Sequence, residues 1–219
     1  KKCPLIVPGT VTGIHCCCVG DWVNQDRKEL IRHYRKDLDY AMRVGAEYVV
    51  FHVVQVDDEE GFTYQGKHTD REVIDAAAAF INELLDGQEY SFWFLMENLW
   101  WPGLTMTRPE MTKRLLSQVH YQKKGIMLDT GHLMHMNLEL KTQEEAVDYI
   151  LEKVAEHGNL ASYIKGMHLN QSITGAYVKT LITRMPCHRI TKHVPKPAMN
   201  TSSRSTSICL LPHRKFRNW

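Results

Sequence analysis

Between Val11 and Gln171, short runs of β-branched and aromatic residues alternate with longer segments whose apolar residues return every three or four positions. The short runs Glu47–Val54 (EYVVFHVV), Phe92–Glu97 (FWFLME), Gly125–Asp129 (GIMLD) and Ile164–Leu169 (IKGMHL) are predicted strands. Val11–Cys17 is a weaker fifth. Near-continuous apolar character over so few residues suits strands covered on both faces, as in a parallel sheet.

The longer segments read as amphipathic helices. Asp26–Val44 sets Leu30, Ile31, Tyr34, Leu38, Ala41 and Met42 on one face, with Gly45 as the stop. Asp70–Leu85 does the same with Val73, Ile74, Ala77, Ile81 and Leu84 before Gly87. Thr69…Glu72, Thr107…Glu110 (with Pro109 in the first turn) and Thr142…Glu145 have capping-box spacing, in which the hydroxyl and carboxylate satisfy otherwise unpaired N–H groups. The alternation β-α-β-α-β predicts a parallel α/β sheet, either open and doubly wound or closed as a (β/α)8 barrel. No Gly-x-Gly-x-x-Gly follows any strand, which weighs against a dinucleotide-binding open sheet.

Composition adds a boundary. The 219 residues are 43% hydrophobic and 24% charged, the make-up of one ordinary globular domain. The net charge of +2 hides a split: up to Glu156, 17 Lys and Arg face all 25 Asp and Glu, a net of −8, and the 10 remaining Lys and Arg follow with no acid. Past Tyr177 the periodicity also fails, and Pro186, Pro195, Pro197, Pro212 and a Ser/Thr-rich stretch, Thr201–Ser207, take over. We therefore expect a patterned body over residues 1–180 and a basic, irregular tail over 181–219, read as the product of a non-native frame. No run approaches the roughly 20 apolar residues of a membrane span, and no N-terminal signal pattern is present. The six cysteines (Cys3, Cys16, Cys17, Cys18, Cys187, Cys209) lack Cys-x-x-Cys spacing, so free thiols in a reducing cytoplasm are expected.

The candidate chemistry sits where the strands end. His15, His52, Glu97, Asp129 and His168 each fall at or near the C-terminal end of a strand, and His132 follows Asp129 by three in Asp-Thr-Gly-His. In a barrel those ends share one face, where active sites lie. Two carboxylates and several imidazoles buried together call for a compensating cation, and that donor set suits Zn²⁺ or Mn²⁺, with Co²⁺ or Mg²⁺ as further candidates. His33, His68, His120 and His157 fall on helices or loops and are expected at the surface, while His135 is a candidate for the pocket wall.

The segments GAEYVVFHV, FLMENLWWPG, GIMLDTGHLM and GMHLNQS together resemble the xylose-isomerase-like TIM-barrel superfamily, which holds sugar-phosphate isomerases and epimerases and zinc-dependent apurinic endonucleases. The resemblance covers roughly Val11 to Lys179. It implies a (β/α)8 barrel, truncated to about five strands, with Glu97, Asp129 and His168 as divalent-metal ligands and His132 as a substrate- or metal-contacting residue. His15 and His52 match positions that bind additional zinc in the endonucleases. The superfamily pattern also has an Asp-x-His and a late Glu on its seventh and eighth strands, and no acidic residue follows Glu156.

The resemblance implies an enzyme: a metal-dependent isomerase or epimerase acting on a sugar or sugar phosphate by proton transfer through an enediolate, with Glu97 and His132 as catalytic residues. Trp100 and Trp101 either stack on a sugar face or wall the pocket, with Asn170 beside them. The endonuclease reading expects Glu-Thr-x-Ala-Gly-Gln-Gly where this chain has Glu97-Asn98-Leu99-Trp100-Trp101-Pro102-Gly103, and an acidic body is a poor duplex-binding surface. A metal-binding remnant without turnover is the third reading.

Overall fold

The structure, a computed structural model, describes residues 12–16, 27–56, 60, 66–184 and 206–209. In chain order they form β1 (Gly13–His15), α1 (Arg27–Val44), β2 (Tyr48–His52), α2 (Asp70–Leu85), β3 (Trp93–Glu97), α3 (Pro109–Gln118) and β4 (Lys124–Asp129). Then come the short α4 (Thr130–His135), α5 (Gln143–Glu156), a 3-10 turn (Gly158–Tyr163), β5 (Ile164–Leu169), α6 (Gly175–Arg184) and β6 (Thr206–Cys209). The sheet order is β1-β2-β3-β4-β5-β6, parallel throughout except for the antiparallel β5–β6 pair. A doubly wound sheet reverses its winding at a switch point, so its neighbours are not all consecutive. Five parallel strands laid down in unbroken order, curled with helices on one side, are the wall of a TIM barrel.

Strand alternation explains the nearly continuous apolar runs. Val49, Phe51, Val53, Phe94, Met96, Ile126 and Leu128 face the helices and form the main core with Leu38, Ile74, Ile81, Leu84 and Leu115. An aromatic chain ties α1 and α2 to β2 and β3: Tyr34 and Phe80 at 5.5 Å, Tyr34 and Phe51 at 5.4 Å, Phe51 and Phe94 at 5.4 Å. Each fully buried ring contributes about 1.5–3 kcal/mol of transfer free energy. The opposite parity faces inward, where Tyr48, Val50, Leu95 and Met127 form a second, smaller cluster with Trp93. Room for these side chains comes from glycine: a Cβ on Gly13 would lie 2.2 Å from the Tyr48 ring, and one on Gly166 would lie 2.6 Å from Met127.

Register sets the height of each side chain. His52 is level with Glu97, Glu97 with Met127, and Asp129 with His168. The strands therefore step up by two residues between β3 and β4, and likewise between β1 and β2, where His15 is level with Val50. Such stagger belongs to a closing barrel.

Two of the three capping boxes form. Thr69 Oγ1 accepts from Glu72 N at 3.3 Å and Glu72 Oε2 from Thr69 N at 2.8 Å; Thr142 and Glu145 do the same at the start of α5. The third does not. Pro109 occupies the first turn of α3, so Arg108 becomes the N-cap without a side-chain cap bond. Thr107 instead pairs its hydroxyl with Thr105 at 2.8 Å, and Arg108 turns to Asp70. Other expectations also shift. Met42 is 38% exposed, at the edge of the buried face of α1. His157 is not a surface residue: it is 3% exposed, donates from Nδ1 to Lys153 O at 2.7 Å and accepts at Nε2 from Thr112 Oγ1 at 2.9 Å, clamping α5 to α3. Val11, Cys17, Cys18 and Asp26 lie outside the described residues, as does most of the basic tail; α6 continues through Arg184, and β6 is the element described within residues 185–219. Cys16 is buried and forms no disulfide among the described residues.

Replacing Thr142 by Ala is expected to lower stability by about 1 kcal/mol, as loss of an N-cap does, and Thr107→Ala by less than half of that; urea unfolding midpoints compare the two. Arg114 donates twice to Asp75 at 2.6 Å and Gln118 adds a third bond at 2.7 Å, and the Arg114 bonds chiefly hold the Asp75 carboxyl below its ordinary value. A depressed carboxyl stabilises the fold above its unfolded pKa and loses that contribution as pH falls. Asp75→Asn should therefore cost about 0.5–1 kcal/mol at pH 7, the scale of a partly exposed pair, and the gap from the parent should close as pH drops from about 5 to 3.

Candidate metal centre

His15, His52, Glu97, Asp129 and His168 share the parity of Gly13, Val50, Leu95, Met127 and Gly166, so all five project from the inner face. Being last or next to last in their strands, they gather at one end of the barrel wall. Glu97 is the centre, with a side chain 1% exposed. Its Oε1 accepts from His168 Nδ1 at 2.7 Å. His52 Nε2 lies 2.9 Å from Oε2, in ion-pair range but without a hydrogen bond, and Oε2 and His52 Nδ1 are both buried with no hydrogen-bond partner. His15, 46% exposed, brings Nδ1 to 3.9 Å from Oε2. Its ring stacks on His168 with 4.9 Å between centroids, and the two Nε2 atoms are 3.4 Å apart.

Asp129 is held on every side. Its Oδ1 accepts from His132 N at 2.8 Å, capping α4, and its Oδ2 accepts from Asn170 Nδ2 at 2.7 Å. Its backbone is tied to the Asn98 amide in both directions, Asp129 N to Oδ1 at 2.8 Å and Nδ2 to Asp129 O at 3.1 Å. Gly131 in Asp-Thr-Gly-His is a matter of space, since a Cβ there would lie 2.8 Å from Asn170 Cβ. His132 Nδ1 donates to Asn98 O at 2.8 Å, which leaves the lone pair on Nε2. The same Nδ1 is 3.7 Å from Glu97 Oε1 and 3.8 Å from Asp129 Oδ1.

The six expected residues thus converge, and they form two overlapping donor groups: His15, Glu97 and His168, and Glu97, Asp129 and His132, each with ligand atoms within 4.8 Å of one another. His52 joins through Glu97 alone. Burial opposes ionisation of Glu97, but the His168 and His52 contacts outweigh it and hold the pKa at about 2. Burial likewise works against protonation of His168, and the Glu97 bond reverses it, raising the pKa. At His15 burial prevails, aided by the two neighbouring imidazoles, and the pKa falls. A buried anion with an unpaired oxygen among four imidazoles fits a divalent cation of borderline softness such as zinc or manganese.

Around this centre Trp100 stacks on His135 at 4.8 Å and leans on His132 at 5.0 Å, with Trp101 6.1 Å away. His135, a candidate from its place near the motif, therefore belongs to the site, and burial chiefly keeps its pKa low. Asn170 lies with its amide on Asp129. Sequence reasoning missed Asn98 and Thr130, whose hydrogen bonds hold Asp129 and Asn170 in place. Thr130 Oγ1 donates to the backbone after β5 and accepts from Asn170 N at 2.9 Å. The available signal was polarity beside a strand-end acid: a fully buried Asn directly after Glu97 must find partners.

The sequence model of the xylose isomerase-like TIM barrel family matches residues 10–194. No curated protein matches the chain. Among solved structures, a D-tagatose 3-epimerase-like protein superposes with a TM-score of 0.51 at 17% identity, over 73% of this chain and 56% of that one. The structure of AsfvAP:AG gives 0.50 at 14%, over 73% and 49%, and endonuclease IV from Thermus thermophilus gives 0.47 at 19%, over 75% and 54%. The first two similarities speak for the fold, and the chain spans about half the length of these structures.

Because Glu97 belongs to both donor groups, Glu97→Ala should weaken Zn²⁺ or Mn²⁺ binding by more than the roughly 10–100-fold expected for an outer-shell change such as Asn98→Ala. Replacement of exposed His33 should leave affinity unchanged. Competition with a chromophoric chelator reads all three.

Proposed function

The chain belongs to the xylose isomerase-like TIM barrel family, and from that premise we propose that it is a divalent-metal-dependent isomerase or epimerase of a sugar or sugar phosphate. The observation behind this reading is the buried Glu97, ionised at neutral pH and shared between two donor groups at the C-terminal ends of barrel strands. A zinc or manganese ion held by Glu97, Asp129 and His168 would supply Lewis-acid stabilisation of negative charge on the sugar oxygens.

The remaining work falls to the chain. Glu97, with a pKa of about 2, holds negative charge and is no proton donor at pH 7. His132 is the proton carrier: its Nδ1–H is committed to Asn98 O, so Nε2 takes the proton from the carbon beside the substrate carbonyl and returns it to the neighbouring carbon on the same face, the isomerase outcome; epimerisation would need a second proton carrier on the opposite face. Trp101 and the Trp100–His135 pair wall the pocket and keep water from the enediolate. The partner is a small polar molecule, since the acidic body disfavours a nucleic-acid backbone.

One observation favours a second reading. His15 and His52 approach the second oxygen of Glu97, so a further ion could be held there, as a phosphodiesterase of the apurinic endonuclease type would use to activate hydroxide.

Assay of ketoses, aldoses and their phosphates with Zn²⁺, Mn²⁺, Co²⁺ or Mg²⁺ should show interconversion that Asp129→Ala or His132→Ala lowers at least about 100-fold, the scale of general acid–base catalysis. Cleavage of an abasic-site duplex without sugar turnover would reverse the ranking. Metal binding with neither activity would mark a non-catalytic remnant.

A further inference from the structure

We propose that Trp100 and His135 are positioning residues that fix the ring of His132, anchored by Thr174. The inference rests on reading His132 as the proton carrier and specifies what makes it one. The single bond from His132 Nδ1 to Asn98 O sets a direction for the ring and leaves its plane free to turn about that axis. A second contact is needed, and Trp100 provides it: its ring centroid lies 5.0 Å from that of His132, with the planes at 55°.

Trp100 is itself held by ring packing. Its Nε1 is buried with no hydrogen bond, so no polar contact orients the indole. The holding surface is His135, stacked at 4.8 Å with the planes at 29°. His132 and His135 are three residues apart on α4, which puts both on the helix side that Trp100 covers.

His135 is fixed at both nitrogens. Nδ1 donates to Gly131 O at 3.1 Å, so Nε2 has the lone pair and accepts from Thr174 Oγ1 at 2.7 Å. Thr174 has little freedom, because its carbonyl accepts from Val178 N at the start of α6, and the adjoining Gly175 sits so close to Leu138 that a Cβ would lie 2.2 Å from its carbonyl oxygen. The line Thr174–His135–Trp100–His132 thus runs from the start of α6 to the face of Glu97.

The test uses the metal-free full chain labelled with ¹⁵N-histidine, at one fixed pH. Long-range proton–nitrogen correlations should show His132 as a single tautomer, protonated at Nδ1. In Trp100→Leu Nδ1 should stay protonated, but both nitrogen resonances should shift and broaden as the ring turns about its bond to Asn98 O. Trp100→Phe, which preserves the stack and removes no hydrogen bond, and Trp101→Leu should keep the parent spectrum. Zn²⁺ affinity of Trp100→Leu should fall about 10-fold, as for loss of an outer-shell contact. An unchanged His132 spectrum in folded Trp100→Leu overturns the proposal. If that variant does not fold, His135→Phe decides: it retains an aromatic ring but loses the Thr174 bond, and must also shift the His132 resonances. A shifted spectrum with no sugar turnover removes only the isomerase reading; sugar turnover with an unshifted spectrum removes only this one.

Discussion

The buried anion of Glu97 is the constraint from which the rest of the site follows. A carboxylate 1% exposed cannot remain charged without compensation, and this one is held near pKa 2 by imidazoles from strands on either side. Those imidazoles reach it because β2, β3 and β5 deliver side chains of the same parity at the same end, which requires a parallel sheet wound in sequence order. Slipping one strand by a single residue would turn its ligand onto the helical side and bring an apolar residue inward. The geometry of the cluster and the fold are thus specified by one pattern of alternation.

Asp129 shows how the supporting structure is built. Its two oxygens do local work, one capping α4 and one holding Asn170, while the Asn98 amide ties its backbone to the loop after β3. Each bond also orients a candidate ligand, so stabilising the turn and presenting the carboxylate are the same event. His15 has a different setting. It ends a three-residue strand at the sheet edge, is 46% exposed, and makes its side-chain polar contacts with other members of the cluster.

Much of this was legible in the sequence, and the exceptions have physical causes. Strands were readable because both faces are covered: Val49 and Phe51 serve the helices while Tyr48 and Val50 serve the interior, so the run is apolar throughout. The polar residues that converge were readable because a polar residue ending such a run is conspicuous. What escaped depends on neighbours distant in sequence. Thr107 yielded the cap position to Arg108, whose guanidinium meets Asp70 across the α2–α3 contact. His157 was assigned to the surface because nothing local to it announces Thr112, 45 residues away. Asn98 and Thr130 have no motif beyond their position, and their partners lie on adjacent strands or loops.

The charge distribution acquires a local meaning from the same geometry. A body of net −8 up to Glu156 concentrates its acids on helix exteriors, such as Glu144, Asp148 and Glu152 on α5, while the inner face holds two carboxylates against four imidazoles. An anionic polymer would meet the outer field first and be repelled over a Debye length of roughly 8 Å at physiological salt. A small sugar without a long charged backbone feels that field weakly, and even a single phosphate could be drawn on by imidazoles and a bound cation at close range. The outer charge would therefore weigh on a long anion before contact and leave a small sugar nearly unaffected.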